Sequence, residues 1–182
     1  MKLIGLFSFA PQSGKTSVAR HLETVKKFCR IPMAETLKRM MREMMLDCGL
    51  THEEIDKMEM GDKTYPFSSL STTTLRRAYQ TLGTEWGRTY IDPDIWLNIW
   101  NRKVNEHMSV WGEGVVCDDI RFENEFNRVL NMGGEMWCIT RGANIRPAHA
   151  SESYEPSMNK FTHVIHNDGS FKDLIDKIET LL

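Results

Sequence analysis

A chain that opens Met1-Lys2-Leu3-Ile4-Gly5-Leu6-Phe7 and turns through Ser8-Phe9-Ala10-Pro11-Gln12 into Ser13-Gly14-Lys15-Thr16-Ser17 is constrained from its first element. An apolar strand, a turn of small residues and Gly-Lys-Thr at the head of a helix build a cradle for an anion. Successive backbone N–H groups converge, the helix adds its positive end, Lys15 supplies a point charge, and the Thr16 hydroxyl is able to ligate Mg²⁺. The pattern G-x-x-x-x-G-K-[ST] asks for glycine where this chain has Phe9, so the loop must start without that residue's freedom, through Ala10 and Pro11. Ser-Gly-Lys-Thr alone would also serve as an ordinary turn and helix cap. Its place between a strand and the run Val18-Ala19-Arg20-His21-Leu22 favours nucleotide binding.

The 182 residues suffice for one α/β domain with a buried core. With 23 Lys and Arg against 25 Asp and Glu the net charge is −2, so no global field draws the chain to nucleic acid or an anionic membrane, and its cations must act locally. Cys29, Cys48, Cys117 and Cys138 have no C-x-x-C spacing and read as reduced core thiols. No signal peptide precedes the strand and no apolar run approaches the ~18 residues of a span, so a reducing cytoplasm is expected.

Helical and strand signals alternate, as in a parallel sheet covered by helices. Leu37, Met40, Met41, Met44, Met45 and Cys48 form one amphipathic stripe that stops at Gly49 and reads as core packing. Thr51-His52-Glu53-Glu54 is a capping box, residues 68–74 are a hydroxyl-rich start to a helix carrying Leu75, Ala78, Tyr79 and Leu82, and Asp92-Pro93 starts a third with Trp96, Leu97, Trp100 and Val104 buried. These helices follow a second strand over residues 28–32, an insertion able to carry a second substrate. Trp86, Trp96, Trp100 or Trp111 could pair two copies in a homodimer, although core positions are the commoner use of such residues.

A third strand, residues 114–117, runs into Asp118-Asp119-Ile120-Arg121-Phe122-Glu123-Asn124-Glu125. Carboxylates at the C-terminal end of a buried parallel strand stand where open α/β folds bind ligands, so one could hold Mg²⁺ beside the phosphate loop; either could equally cap the next helix. A fourth strand, residues 136–139, ends at Thr140-Arg141. Residues 142–160 lack an apolar period and read as a lid-like segment. A fifth strand, residues 163–166, enters Asn167-Asp168-Gly169, and a last helix is expected to place Phe171, Leu174, Ile175, Ile178 and Leu181 on the core.

Four separated blocks, Ala34-Glu35-Thr36-Leu37-Lys38, residues 76–88 (Arg76 to Gln80, then Thr81-Leu82-Gly83-Thr84-Glu85-Trp86-Gly87-Arg88), residues 119–125 and His149-Ala150-Ser151-Glu152, resemble the bacteriophage deoxynucleoside monophosphate kinase family over nearly the whole chain. The resemblance implies a three-layer α/β/α P-loop NTPase fold with about five parallel strands. It further implies a single kinase domain over residues 1–182, a helical monophosphate-binding insertion at about 33–110 and a lid at about 142–160. The implied activity is transfer from ATP, with Mg²⁺, to a deoxynucleoside monophosphate, in supply of viral DNA precursors, without stable nucleic-acid binding and without a membrane.

Carried over by position, the ATP-phosphate loop falls on Ser13, Gly14, Lys15, Thr16 and Ser17. The monophosphate side falls on Lys38, Arg76, Gln80, Asp119, Arg121, Trp137 and Glu152, and Arg141 and Asn167 are expected to contact the adenine. Phe9 departs from the glycine of many members, and Thr36 stands where proline often precedes the leucine-lysine pair. The acceptor is already a phosphate dianion, so transfer needs in-line positioning and charge neutralisation rather than a base. The expected assignment is Lys15 on the β- and γ-phosphates, Thr16 and Asp118 or Asp119 toward Mg²⁺, Arg121 and Arg76 on the acceptor phosphate, and Arg141 or Arg146 over the transferring group. Alternatives are a dephospho-coenzyme A kinase-like enzyme, in which the Asp119 motif would act as base toward a hydroxyl, a silent nucleotide-binding switch, and a nucleic-acid motor subunit.

Overall fold

The computed structural model of the chain describes residues 2–61, 74–111, 114–142 and 154–182. Glu152, Arg146, the hydroxyl-rich stretch before Thr74 and most of the lid-like segment lie outside them. The chain divides into two compact units, Met1–Met33 with Trp100–Leu182, and Ala34–Ile99.

The first unit is built on five parallel strands: β1 (Leu3–Phe7), β2 (Cys29–Arg30), β3 (Val115–Cys117), β4 (Glu135–Thr140) and β5 (His163–His166), in the order β2-β3-β1-β4-β5. Every residue of β1 and β3 is buried, as strands covered on both faces must be. Helices α1 (Lys15–Thr24), α6 (Glu123–Asn131) and α7 (Phe171–Glu179), with the latter part of α5 (Ile95–Trp111), flank the sheet in a P-loop NTPase-like three-layer arrangement. Ile4, Leu6, Val18, Leu22, Trp137, Ile139, Leu174 and Ile178 share one core. All four cysteines are free thiols, Cys117 and Cys138 fully buried. Because all strands run the same way, β1, β2, β3, β4 and β5 deliver residues 8–17, Arg30, 118–121, Arg141 and Asn167 to one edge of the sheet.

The second unit is helical. Helices α2 (Glu35–Asp47), α3 (His52–Met60) and α4 (Leu75–Gln80) bury Met41, Met45, Ile55 and Leu75 against one another. Met40 and Met44 of the same stripe are exposed. Thr51 and Glu54 form the expected capping box, and the Thr74 hydroxyl accepts from Arg77 N–H at 3.1 Å. Arg42 of α2 donates to Asp56 (2.7 Å) and Glu59 (3.3 Å) of α3, and Glu59 accepts from the Tyr79 hydroxyl of α4, so one carboxylate ties three helices. Burial, then the Glu59 acceptor, pushes the Tyr79 phenol far above its usual range.

After Gln80 the chain widens into a π-helical stretch, Thr81–Ile91. The Trp96 indole N–H donates to the Gly83 carbonyl at 2.8 Å, and a Cβ on Gly87 would lie 2.6 Å from the same ring, so the glycine lets the backbone approach the indole. Trp96 and Trp100 are core residues, whereas Trp86 and Trp111 are exposed. Among the described residues no helix is long and apolar enough to cross a membrane.

Candidate active site

The phosphate loop leaves β1 at Phe7 and feeds α1 at Lys15. Its turn relies on two left-handed residues, Gln12 (φ 56°) and Gly14 (φ 108°), the second serving as the helix N-cap with no side-chain capping bond. The helix brings no acidic residue to its first turn, so its N-terminal N–H groups and positive end stay uncompensated by the chain's own carboxylates. Ser13 is buried, and among the described residues its hydroxyl has no hydrogen-bond partner, an orphaned polar atom inside the loop.

Residues 12–17 form one wall of a cavity of about 470 Å³ closed by Arg141, Asn167, Gly169, Phe171 and Leu174. The Asn167 side-chain amide donates to the Ser13 carbonyl at 2.8 Å and is itself buried. Phe171, expected on the core, is instead 63 % exposed and lines this cavity, because as the first residue of α7 it precedes the stripe that Leu174 and Ile178 bury. Its only signal in the sequence was its place directly after the Ser170 cap.

Lys15 is poised between opposing influences. Burial and then the neighbouring Arg121 lower its pKa to about 8, against smaller opposing pulls from Asp118, Cys138 and Asp119. The structure therefore brings Lys15, Arg121 and the aspartate pair within electrostatic reach of one another.

The aspartates do not cap α6. Arg30 grips Asp118 with two bonds, Nε to Oδ1 at 3.0 Å and a terminal nitrogen to Oδ2 at 2.7 Å, and Asp118 is 5 % exposed. Asp119 Oδ1 accepts the Met33 backbone N–H at 2.7 Å and the Cys117 thiol at 3.4 Å, anchoring the chain where the first unit gives way to the second. The start of α6 is served by buried Glu125, whose Oε2 accepts from the N–H groups of Arg121 (2.8 Å) and Phe122 (3.1 Å) and so fixes the turn that presents Arg121. Sequence reasoning overlooked Arg30 and Glu125. The available signals were a cation at the end of one strand beside acids at the end of its neighbour, and a glutamate at the third position of a helix.

Trp137 does not join these groups. It is fully buried in the sheet core, donates its indole N–H to Glu135 at 2.8 Å and packs edge-on against His163 at 5.5 Å. Lys38, Arg76 and Gln80 lie in the second unit, Arg76 exposed and Gln80 half-buried at the last residue of α4. Among the described residues no three His, Cys, Asp or Glu side chains cluster to hold a metal ion. The donors fit Mg²⁺ only in the manner of a nucleotide-bound ion, in which phosphate and water supply most ligands and the protein one hydroxyl and a carboxylate.

Residues 50–178 match the deoxynucleotide monophosphate kinase family. The chain belongs to this family. That match begins beyond the phosphate loop, so loop and family are two separate indications. Similarity to a protein of Acanthamoeba polyphaga mimivirus, provisionally named a deoxynucleotide monophosphate kinase, spans both: 28 % identity over 191 residues, covering 98 % of this chain and 94 % of the relative. This relative is viral without being a bacteriophage protein. A kinase of the family thus has its cationic loop on the first unit and its four-residue-spaced Arg76 and Gln80 on the second.

Proposed function

We propose that the protein transfers the γ-phosphoryl group of ATP to a deoxynucleoside monophosphate, giving a diphosphate. The observation that carries the reading is Lys15, half-buried, lining a cavity walled by the phosphate loop and depressed in pKa by desolvation and by the neighbouring Arg121. Two cations held close in a partly buried place are stabilised by an anion between them, and phosphoryl transfer between two phosphates requires such charge compensation.

In this reading the N–H groups of residues 13–17 and the Ser13 hydroxyl receive the donor phosphates, and Lys15 follows charge onto the β–γ bridge. Arg121, fixed by Glu125 through its backbone, orients the acceptor phosphate. Arg141 and Phe171 flank the donor base. Thr16 and Asp118 would hold Mg²⁺, which, bound, neutralises charge on the phosphate oxygens. Lys38, Arg76, Gln80 and Glu152 serve the acceptor nucleotide, and the unit Ala34–Ile99 is the insertion that carries its recognition. Similarity to a viral protein supports a place in the supply of DNA precursors.

The test is ATP consumption with Mg²⁺ and each deoxy- and ribonucleoside monophosphate, products separated by chromatography. A deoxynucleoside diphosphate, formed without stimulation by DNA, is expected. ATP binding without diphosphate product would overturn the reading in favour of a nucleotide-binding switch.

A further inference from the structure

Phe9 stands where the phosphate-loop motif has glycine, and its surroundings hold it in place. The Ser8 hydroxyl donates to the Ala10 carbonyl and accepts from the Ala10 N–H at 3.1 Å, closing a tight turn with Phe9 at its apex. The Phe9 ring packs edge-on against Phe7 at 5.2 Å and Phe161 at 6.2 Å. Those two rings meet at 5.6 Å, and Phe126 braces them at 6.3 and 5.3 Å. Left-handed backbone is confined to Gln12 and Gly14, further along the loop.

We infer that Phe9 is a positioning residue for the phosphate loop. Its ring, seated between Phe7 and Phe161, fixes the start of the loop that glycine would leave free, so the N–H groups of residues 13–17 converge through a side-chain anchor. The inference rests on reading this loop as the ATP-phosphate site. It has a consequence opposite to what the motif suggests: giving the chain the motif's own residue should damage the loop, because Phe9→Gly removes two aromatic contacts and adds backbone freedom.

The test is amide hydrogen exchange of residues 8–17 in the ligand-free full-length protein, with ATP affinity by calorimetry and the KM values for ATP and for the monophosphate. Phe9→Gly is expected to speed loop exchange and weaken ATP binding about fivefold, the worth of an aromatic pair, with the monophosphate KM unmoved. Phe161→Leu should act in the same direction, and Phe9→Tyr should restore both readouts. Unchanged loop exchange in Phe9→Gly and Phe161→Leu, or ATP affinity equal to the parent's, would overturn the inference. Absence of ATP binding by the unaltered protein would instead overturn the kinase reading, leaving loop exchange alone to decide the part played by Phe9.

Discussion

The side-chain amide of Asn167, just beyond β5, donates to the carbonyl of Ser13, 154 residues earlier in the chain, at 2.8 Å, with both residues buried. The bond joins the last strand's exit to the centre of the phosphate loop. A Cβ on Gly14 would lie 2.8 Å from the same amide nitrogen, so the loop backbone and Asn167 are fitted to each other. Asn167→Ala leaves a buried carbonyl unsatisfied, at a cost of about 1–3 kcal/mol. The expected outcome is a lower Tm and roughly tenfold weaker ATP binding by calorimetry, with little change in the monophosphate KM. Full ATP affinity in the variant would show that the loop keeps its shape without this bond.

Lys15 makes the protein's pH response predictable. Its pKa is about 8 in the fold against 10.5 for an ordinary lysine, so between these values the unfolded chain holds a proton that the folded one has released, and stability rises with pH across that window. Nucleotide binding has the opposite sign. Bound phosphate favours the cation, so ATP binding takes up a proton and its affinity falls as pH rises through about 8. Calorimetry in buffers of differing ionisation enthalpy measures the uptake, which Lys15→Met should abolish along with transfer.

Arg30 and Asp118 form a bidentate pair with the carboxylate buried. Arg30→Ala strands that charge and is expected to destabilise the fold by about 2 kcal/mol, less than the roughly 3–5 kcal/mol of a fully buried pair because the arginine keeps some contact with water. Asp118→Asn added to Arg30→Ala should recover part of the loss. Thermal unfolding of the three variants decides the matter, and equal Tm for Arg30→Ala and the parent would mean that the pair contributes nothing.

Arg76 is exposed on α4, and its proposed partner is the acceptor phosphate. Arg76→Ala should raise the monophosphate KM about tenfold while kcat and the ATP KM change little, as expected when binding common to ground and transition states is removed. Steady-state kinetics with each substrate varied gives the split. A monophosphate KM equal to the parent's would remove Arg76 from the acceptor site.

Much of the architecture was legible from local pattern. Five apolar runs alternating with helical stripes led to a parallel sheet, and Gly-Lys-Thr after the first of them located the phosphate loop, because a strand's burial and a helix start are written in consecutive residues. The stripe through Leu174 and Ile178 was read correctly while Phe171 was not, since periodicity cannot tell that the first residue of a helix projects past the core into a cavity. That Trp137 is buried, with His163 edge-on against it, likewise depends on the neighbouring strand.

By itself, then, the sequence determined the α/β class, the phosphate loop and the kinship to deoxynucleotide monophosphate kinases, all of which depend on neighbours in the chain or on motifs read in order. The tertiary structure alone decided that Arg30 takes Asp118, that Asp119 holds the Met33 amide, that Glu125 fixes the Arg121 turn and that Asn167 closes on Ser13. Three of these pairings join residues from 86 to 154 positions apart. They exist because parallel strands in the order β2-β3-β1-β4-β5 end on one edge, a proximity created by strand order and twist that no local pattern encodes.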